Sequence, residues 1–307
     1  MKTSNIKTSY SPEDVQQFLE AKEHANPASI EQLTEGHVSQ AVGYETVDGD
    51  KQVFRIAPRD NDFKADQYAF DHYGDQLPVP KVLEIGEFEG GSYYCVTERA
   101  RGVISDALSS DEITNVLPAI HDVFAKLFKI DVTDTTGFGP MGITTGNAHS
   151  ETWEDHLLSK IDGEDDAAYK QYAHNIGLDE TIVDGFLAQF RKYLPFASDV
   201  RRLLHGDLGF DNLLLDGDEV TAVIDWAHVG YGDWMSDFAK FDFWWPDRFG
   251  SPQEFAERSG LDADHIDERI GLYWAFTALE TIRFADQFKS DGIASWLREH
   301  AKEKLLD

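Results

Sequence analysis

Apolar positions recur with two different spacings along this chain, and the change from one to the other divides it. The first stretch, SPEDVQQFLEAK (residues 11–22), predicts a helix: Ser11 can cap it, Pro12 suits the first helical position, and Glu13 and Asp14 face the positive end of the helix dipole. A spacing of two then takes over. HVSQAVGYETVDGDKQVFRIAP (37–58) predicts two strands around a turn at 48–50. DFKADQYAFDHYGD (62–75) interrupts them with a helical pattern through Phe63, Phe70 and Tyr73. LPVPKVLEIGEFEGGSYYCVTER (77–99) predicts two more strands, turned at EGGS.

Beyond the short connection ARGV (100–103) the spacing becomes helical. DEITNVLPAIHDVFAKLFKI (111–130) is amphipathic, with Pro118 as a point of kinking. A Gly/Thr-rich loop (133–147) follows, then helical patterns in 151–161 and 179–194, and two or three helices finish the chain, one of them over 265–288. The expected fold class is therefore α+β in two lobes. Residues 1–99 form a small antiparallel β lobe with one main helix, and residues 100–307 a larger, mainly helical lobe. A polar hairpin is expected at the junction. The chain has no internal repeat.

One segment breaks the pattern. LLHGDLGFDNLLL (203–215) reads as strand, turn and strand, yet the turn carries a His, two Asp and an Asn. His205, Asp207 and Asn212 fall within eight residues, and Asp225, in AVIDW, lies thirteen beyond Asn212. The intervening residues predict a hairpin, which brings Asn212 and Asp225 together. An amide and a carboxylate side by side suit Mg²⁺, which takes one or two protein oxygens and completes its shell with phosphate and water. Asp207 can accept a proton from an incoming hydroxyl. An Asp, four residues, an Asn and then a second Asp is the order that a kinase catalytic loop requires. Any one of these acids alone would be an ordinary turn residue. Their conjunction in this order of elements argues for phosphoryl transfer.

Composition bounds the partners. Lys plus Arg number 27 and Asp plus Glu 57, a net charge of −30. Such a chain repels nucleic acid and anionic membrane surfaces. The acids are spread along the whole length, as in DGEDDAAY and DADHIDER, which is the pattern of halophilic proteins rather than of one cation site. The single cysteine, Cys95, sits among aromatics and Val and reads as a buried structural thiol. The N-terminus lacks the apolar run of a signal peptide, and no stretch approaches the roughly 20 apolar residues of a membrane span. The expectation is a soluble, cytoplasmic protein. Its oligomeric state is not legible.

HGDLGFDN followed by VIDW resembles the aminoglycoside phosphotransferase family, which has a protein-kinase-like fold. The similarity extends to the hygromycin B branch of that family through LPVPKVLEIGEFEGGSYYCVTERARGV, TGFGPMG and the GD after AVIDW, and covers about residues 30 to 245. The resemblance implies Asp207 as catalytic base, Asn212 and Asp225 as Mg²⁺ ligands, and His205 as a support of the catalytic loop, braced by Asp237 from a following helix. It implies a phosphate-binding turn at Gly36 and Ser39, although one glycine stands where protein kinases have three. It implies Arg55 on the phosphates, where most kinases use Lys, with Asp66 rather than Glu as its partner. Glu98 and Ala100 match the hinge positions that receive adenine. Trp234, Trp244 and Trp245 are candidates for the acceptor side, with core packing the simpler reading for at least one.

The expected donor is ATP, with GTP the other candidate. The expected acceptor is a small molecule with a hydroxyl, polycationic if it is an aminoglycoside such as hygromycin B. Two rivals stand: a kinase for a cellular alcohol of the choline, homoserine or sugar kind, and a nucleotide-binding pseudokinase. The presence of Asp207, Asn212 and Asp225 together argues against the second.

Overall fold

Ser11 Oγ accepts the backbone N–H of Asp14, and the Asp14 carboxylate accepts that of Ser11. This reciprocal cap starts α1 (Pro12–Ala21) where the sequence places it. The structure, a computed structural model, describes residues 10–22, 29–33, 40–105, 108–161 and 165–306. In chain order α1 is followed by β1 (Glu31–Gln32), β2 (Gln40–Glu45), β3 (Lys51–Ala57), α2 (Asn61–Tyr73), β4 (Val82–Glu87), β5 (Tyr93–Glu98) and β6 (Val103–Ile104). Next come α3 (Ser110–Leu127), β7 (Gly139–Pro140), α4 (Trp153–Ile161), α5 (Asp166–Asn175), α6 (Glu180–Tyr193), β8 (Arg202–Leu204), β9 (Leu213–Asp216), β10 (Glu219–Val223) and β11 (Gly230–Gly232). Four helices close the chain: α7 (Met235–Trp244), α8 (Pro252–Ser259), α9 (Ile266–Phe288) and α10 (Asp291–His300).

The chain divides into two compact units, Met1–Ala107 with Asn212–Ala227, and Leu108–Asp211 with His228–Asp307. The first is built on an antiparallel sheet of order β1-β2-β3-β5-β4. Side chains alternate across it. Val42, Tyr44, Phe54, Ile56, Tyr94 and Val96 face Val15 and Leu19 of α1, while Cys95, Ala57 and Val82 pack with Phe63 of α2 on the other face. The sheet thus carries a helix on each side, where the sequence emphasised one. Cys95 is fully buried, and that burial pushes its thiol up to about 11. It is a structural side chain, as expected.

The hairpin β9–β10 belongs to this unit because its bonds lead there. β9 pairs with β6, the Val223 N–H donates to the Pro78 carbonyl at 2.8 Å, and Thr221 Oγ1 donates to the Arg101 carbonyl at 2.6 Å. Chain order alone had placed residues 212–227 with the helical half.

The second unit is mainly helical, with a small sheet of order β7-β11-β8. Helix α3 runs through Pro118 without ending there. Helix α5 and the full set of four helices after β11 exceed what the spacing predicts. At the start of α7 lies a buried ion pair. The Asp233 carboxylate pairs with Arg269 of α9, accepts the Tyr273 hydroxyl at 2.6 Å and accepts the Met235 N–H at 3.1 Å. The Trp153 indole in turn donates to Tyr273 at 2.9 Å. Fully buried charge is costly unless paired and hydrogen-bonded, and here it is both. The network fixes the turn between β11 and α7, and so fixes which face α7 presents.

Candidate active site

The residues singled out in the sequence fall into two sets, one in each unit. In the second unit the loop after β8 carries His205, Gly206 and Asp207. Asp237, in the first turn of α7, is buried and accepts the backbone N–H of His205 at 2.8 Å and of Gly206 at 3.0 Å. The carboxylate thus ties the start of α7 to two consecutive residues of the loop. Burial pushes the Asp237 carboxyl up to about 6, even though the two N–H groups and Lys240 favour its charge. His205 is fully buried, and its Nδ1 lies 3.3 Å from the Asp207 N–H as acceptor. It supports the loop rather than facing solvent.

Gly206 has φ +80°, and a Cβ there would lie 2.3 Å from the His228 carbonyl. Both the handedness and the space demand glycine. We expect Gly206→Ala to cost about 2 kcal/mol or more and to abolish turnover. A thermal melt beside a rate measurement checks this.

Asp207 keeps 39% of its side chain open, enough for a ligand to reach it. Burial of the rest raises its pKa. The Lys240 ammonium, 2.7 Å away, outweighs that with help from His228 and His205, and the carboxyl is held down to about 2. Lys240 also donates to the Gly206 carbonyl at 2.9 Å. Sequence reasoning passed over this lysine. The signal was its position three residues after Asp237, which puts both on one face of α7.

Of the three tryptophans, Trp234 is fully buried, donates to the Asp262 carbonyl at 3.1 Å and lies under the Arg269 guanidinium. It is core. Trp244 is half-buried and packs on Trp296. Trp245 packs on Phe210, and a Cβ on Gly209 would meet its ring at 2.6 Å, so it lies against the loop that follows β8.

In the first unit a cavity of about 240 Å³ opens on the α2 side of the sheet, lined by Val53, Arg55, Asp66, Glu98, Ala100, Asp225 and others. Arg55 of β3 and Asp66 of α2 form an ion pair, so the long Arg reaches the short acid. Burial opposes the guanidinium charge, but Asp66, with Cys95 and Asp225, holds the Arg55 pKa above its ordinary value. The Asp66 carboxylate also accepts the Trp226 N–H at 3.0 Å, which ties α2 to the residue after Asp225. Glu98 and Ala100 both line the cavity, and the Glu98 N–H is already taken by the Lys81 carbonyl at 2.9 Å.

Asn212 is buried at the foot of β9, and its carbonyl accepts the Ile224 N–H at 3.0 Å. Asp225, next in the chain, is exposed and has φ +64°, a left-handed turn that swings it off the end of β10. The hairpin thus sets the Asn212 backbone against Ile224, one residue before Asp225. Gly36 and Ser39, assigned to a phosphate-binding turn, lie outside the described residues. Among the described residues no group of three or more His, Cys, Asp or Glu side chains is placed to hold a metal ion. No described helix is long and apolar enough to cross a membrane.

Comparison with known proteins gives a consistent result. The profile of the phosphotransferase enzyme family matches residues 29–269. The hygromycin-B 4-O-kinase of Escherichia coli is 32% identical over 236 residues, which span 76% of this chain and 67% of that protein. Among solved structures, a thermostable mutant of the aminoglycoside phosphotransferase APH(4)-Ia, in ternary complex with ADP and hygromycin B, superposes with a TM-score of 0.79 at 27% identity, covering 95% of this chain and 98% of the other. The GDP complex of aminoglycoside 2'-phosphotransferase-IIIa gives a TM-score of 0.69 at 16% identity, covering 96% and 98%, a likeness of fold alone. The antiparallel first unit and the helical second unit are those of this kinase-like fold.

Proposed function

Because the chain belongs to the phosphotransferase enzyme family, we propose that it transfers the γ-phosphoryl group of Mg-ATP to a hydroxyl of an aminoglycoside of the hygromycin B kind. The observation that carries this reading is Asp207. It is partly open, held ionised by Lys240, and mounted on a loop whose backbone is bonded to Asp237. The 32% identity to a hygromycin-B kinase supports the acceptor class.

A carboxyl held down to about 2 is too weak a base to deprotonate an alcohol beforehand. Its part is to accept the hydrogen bond of the acceptor hydroxyl, aim the oxygen in line, and take the proton as the new O–P bond forms. Arg55 would meet the phosphates, held in place by Asp66. The backbone at Glu98 and Ala100 would receive the base of the nucleotide. Asn212 and Asp225 offer an amide and a carboxylate oxygen, a hard donor pair too small to hold a metal by itself but suited to Mg²⁺ when phosphate oxygens share the shell. Bound there, Mg²⁺ neutralises charge on the phosphate oxygens.

A coupled ADP-release assay with Mg-ATP in molar KCl tests the reading against hygromycin B, other aminoglycosides and small cellular alcohols. We expect release to depend on hygromycin B. Release that answers to a cellular alcohol and to no antibiotic would move the protein to the metabolic kinases.

We assign the dispersed acidity to a cytoplasm of high salt. Screening relieves the repulsion among 57 acids set against 27 bases. The melting temperature should therefore climb as KCl rises from 0.1 to 3 M, about the range over which screening shortens to a few Å. A flat or falling curve would contradict the assignment.

A further inference from the structure

We infer that Lys240 is a positioning residue for phosphoryl transfer, setting both the aim and the ionisation of Asp207. The inference rests on the reading of Asp207 as the group that receives the acceptor hydroxyl.

Lys240 has a specific geometry for this. Its ammonium bonds Asp207 Oδ1 at 2.7 Å and the Gly206 carbonyl at 2.9 Å. It therefore grips the loop at two adjacent residues, one by side chain and one by backbone. From the same helix Asp237 grips the His205 and Gly206 N–H groups. Three consecutive loop residues, 205 to 207, are thus held from one face of α7, whose start is fixed by the buried Asp233–Arg269 pair. Among the described residues, Asp237 on α7, His205 on the loop, His228 after β10 and Glu280 on α9 also act on this pair. Of these Asp237 opposes the charge of Asp207, and the histidines carry full charge only when protonated. Lys240 is a permanent cation in contact with Asp207.

The consequence is a division of labour. Without Lys240, burial pushes Asp207 towards its protonated form against only His228 and His205, and that form cannot accept the hydroxyl proton. With it, the carboxylate stays ionised throughout the working pH range. The same ammonium fixes one oxygen and leaves the carboxylate plane in a defined orientation.

The test is the pH dependence of kcat between pH 5 and 9 in Lys240→Met, Lys240→Gln and Lys240→Arg, each against the unaltered protein. In the unaltered protein kcat should show no acid limb assignable to Asp207. In Lys240→Met and Lys240→Gln an acid limb should enter the range, with kcat falling roughly tenfold per pH unit below its midpoint. The KM for ATP should stay within about twofold, since the change removes nothing from binding that is equal in ground and transition states. Lys240→Arg should return the profile to that of the unaltered protein. Superimposable profiles in the Met or Gln variant would overturn the inference, as would an acid limb that persists in Lys240→Arg. If the Met variant fails to fold, the Gln and Arg variants carry the comparison alone. Asp207→Asn separates the two layers: its full activity would remove the base assignment itself, whereas an inactive Asp207→Asn beside unshifted Lys240 profiles would remove only the role of Lys240.

Discussion

Replacing Asp207 by Asn should lower kcat by about a thousandfold while leaving the affinity for ATP unchanged. The side chain keeps its size, so the loop keeps its shape. Lys240 retains the Gly206 carbonyl and the nearby charge of Asp237, and is not left as a bare cation. What disappears is the ability to receive a proton as the acceptor oxygen bonds to phosphorus. Loss of kcat without loss of nucleotide binding marks a group that acts in the transition state. Titration calorimetry with ATP beside steady-state rates reads both quantities. An Asp207→Asn protein that turns over at the normal rate would show that the hydroxyl is received elsewhere.

Asp225→Asn should have an effect of similar size, about two to three orders of magnitude in kcat, but with a different signature. Asn tolerates the left-handed φ of +64° that Asp225 adopts, whereas Ala would add backbone strain to the result. The substitution therefore removes charge and little else. In the unaltered protein Mg²⁺ should tighten ATP binding. In the variant that gain should shrink towards nothing, and raised Mg²⁺ should recover part of the rate. A variant whose nucleotide affinity responds to Mg²⁺ as before would take Asp225 out of the metal's shell. The same change removes one of the acids acting on Arg55, while Asp66 still pairs with it, so the cavity should hold its form.

The parts of this protein that are written locally could be read from the chain. Alternation marks β2 to β5, Ser11 and Pro12 mark the start of α1, and the stretch from His205 to Asp225 marks the loop after β8 and the hairpin that follows it. Arg55 and Asp66 were paired by resemblance, and the ion pair forms. What escaped depends on contacts between distant segments. The bonds from Val223 to Pro78 and from Thr221 to Arg101 attach the hairpin to the first unit, and no local pattern announces them. The second bond of Asp66, to the Trp226 N–H across 160 positions, is of the same kind. Lys240 escaped for another reason. A lone lysine in an otherwise apolar helix turn reads as a solvated charge until the buried loop beside it is seen. Of the three tryptophans after the hairpin, at least one of which reads more simply as core, it is Trp234 that Asp262 and Arg269 hold there.

The central claim is transfer of a phosphoryl group to a small-molecule hydroxyl. Mass spectrometry of the acceptor after incubation with Mg-ATP, in molar KCl, tests it most directly. Hygromycin B should gain the mass of one phosphoryl group, in equal amount to the ADP formed, and should gain it about a thousandfold more slowly with the Asp207→Asn protein. ADP formed in equal amount to free phosphate, with hygromycin B unchanged in mass, would contradict the account.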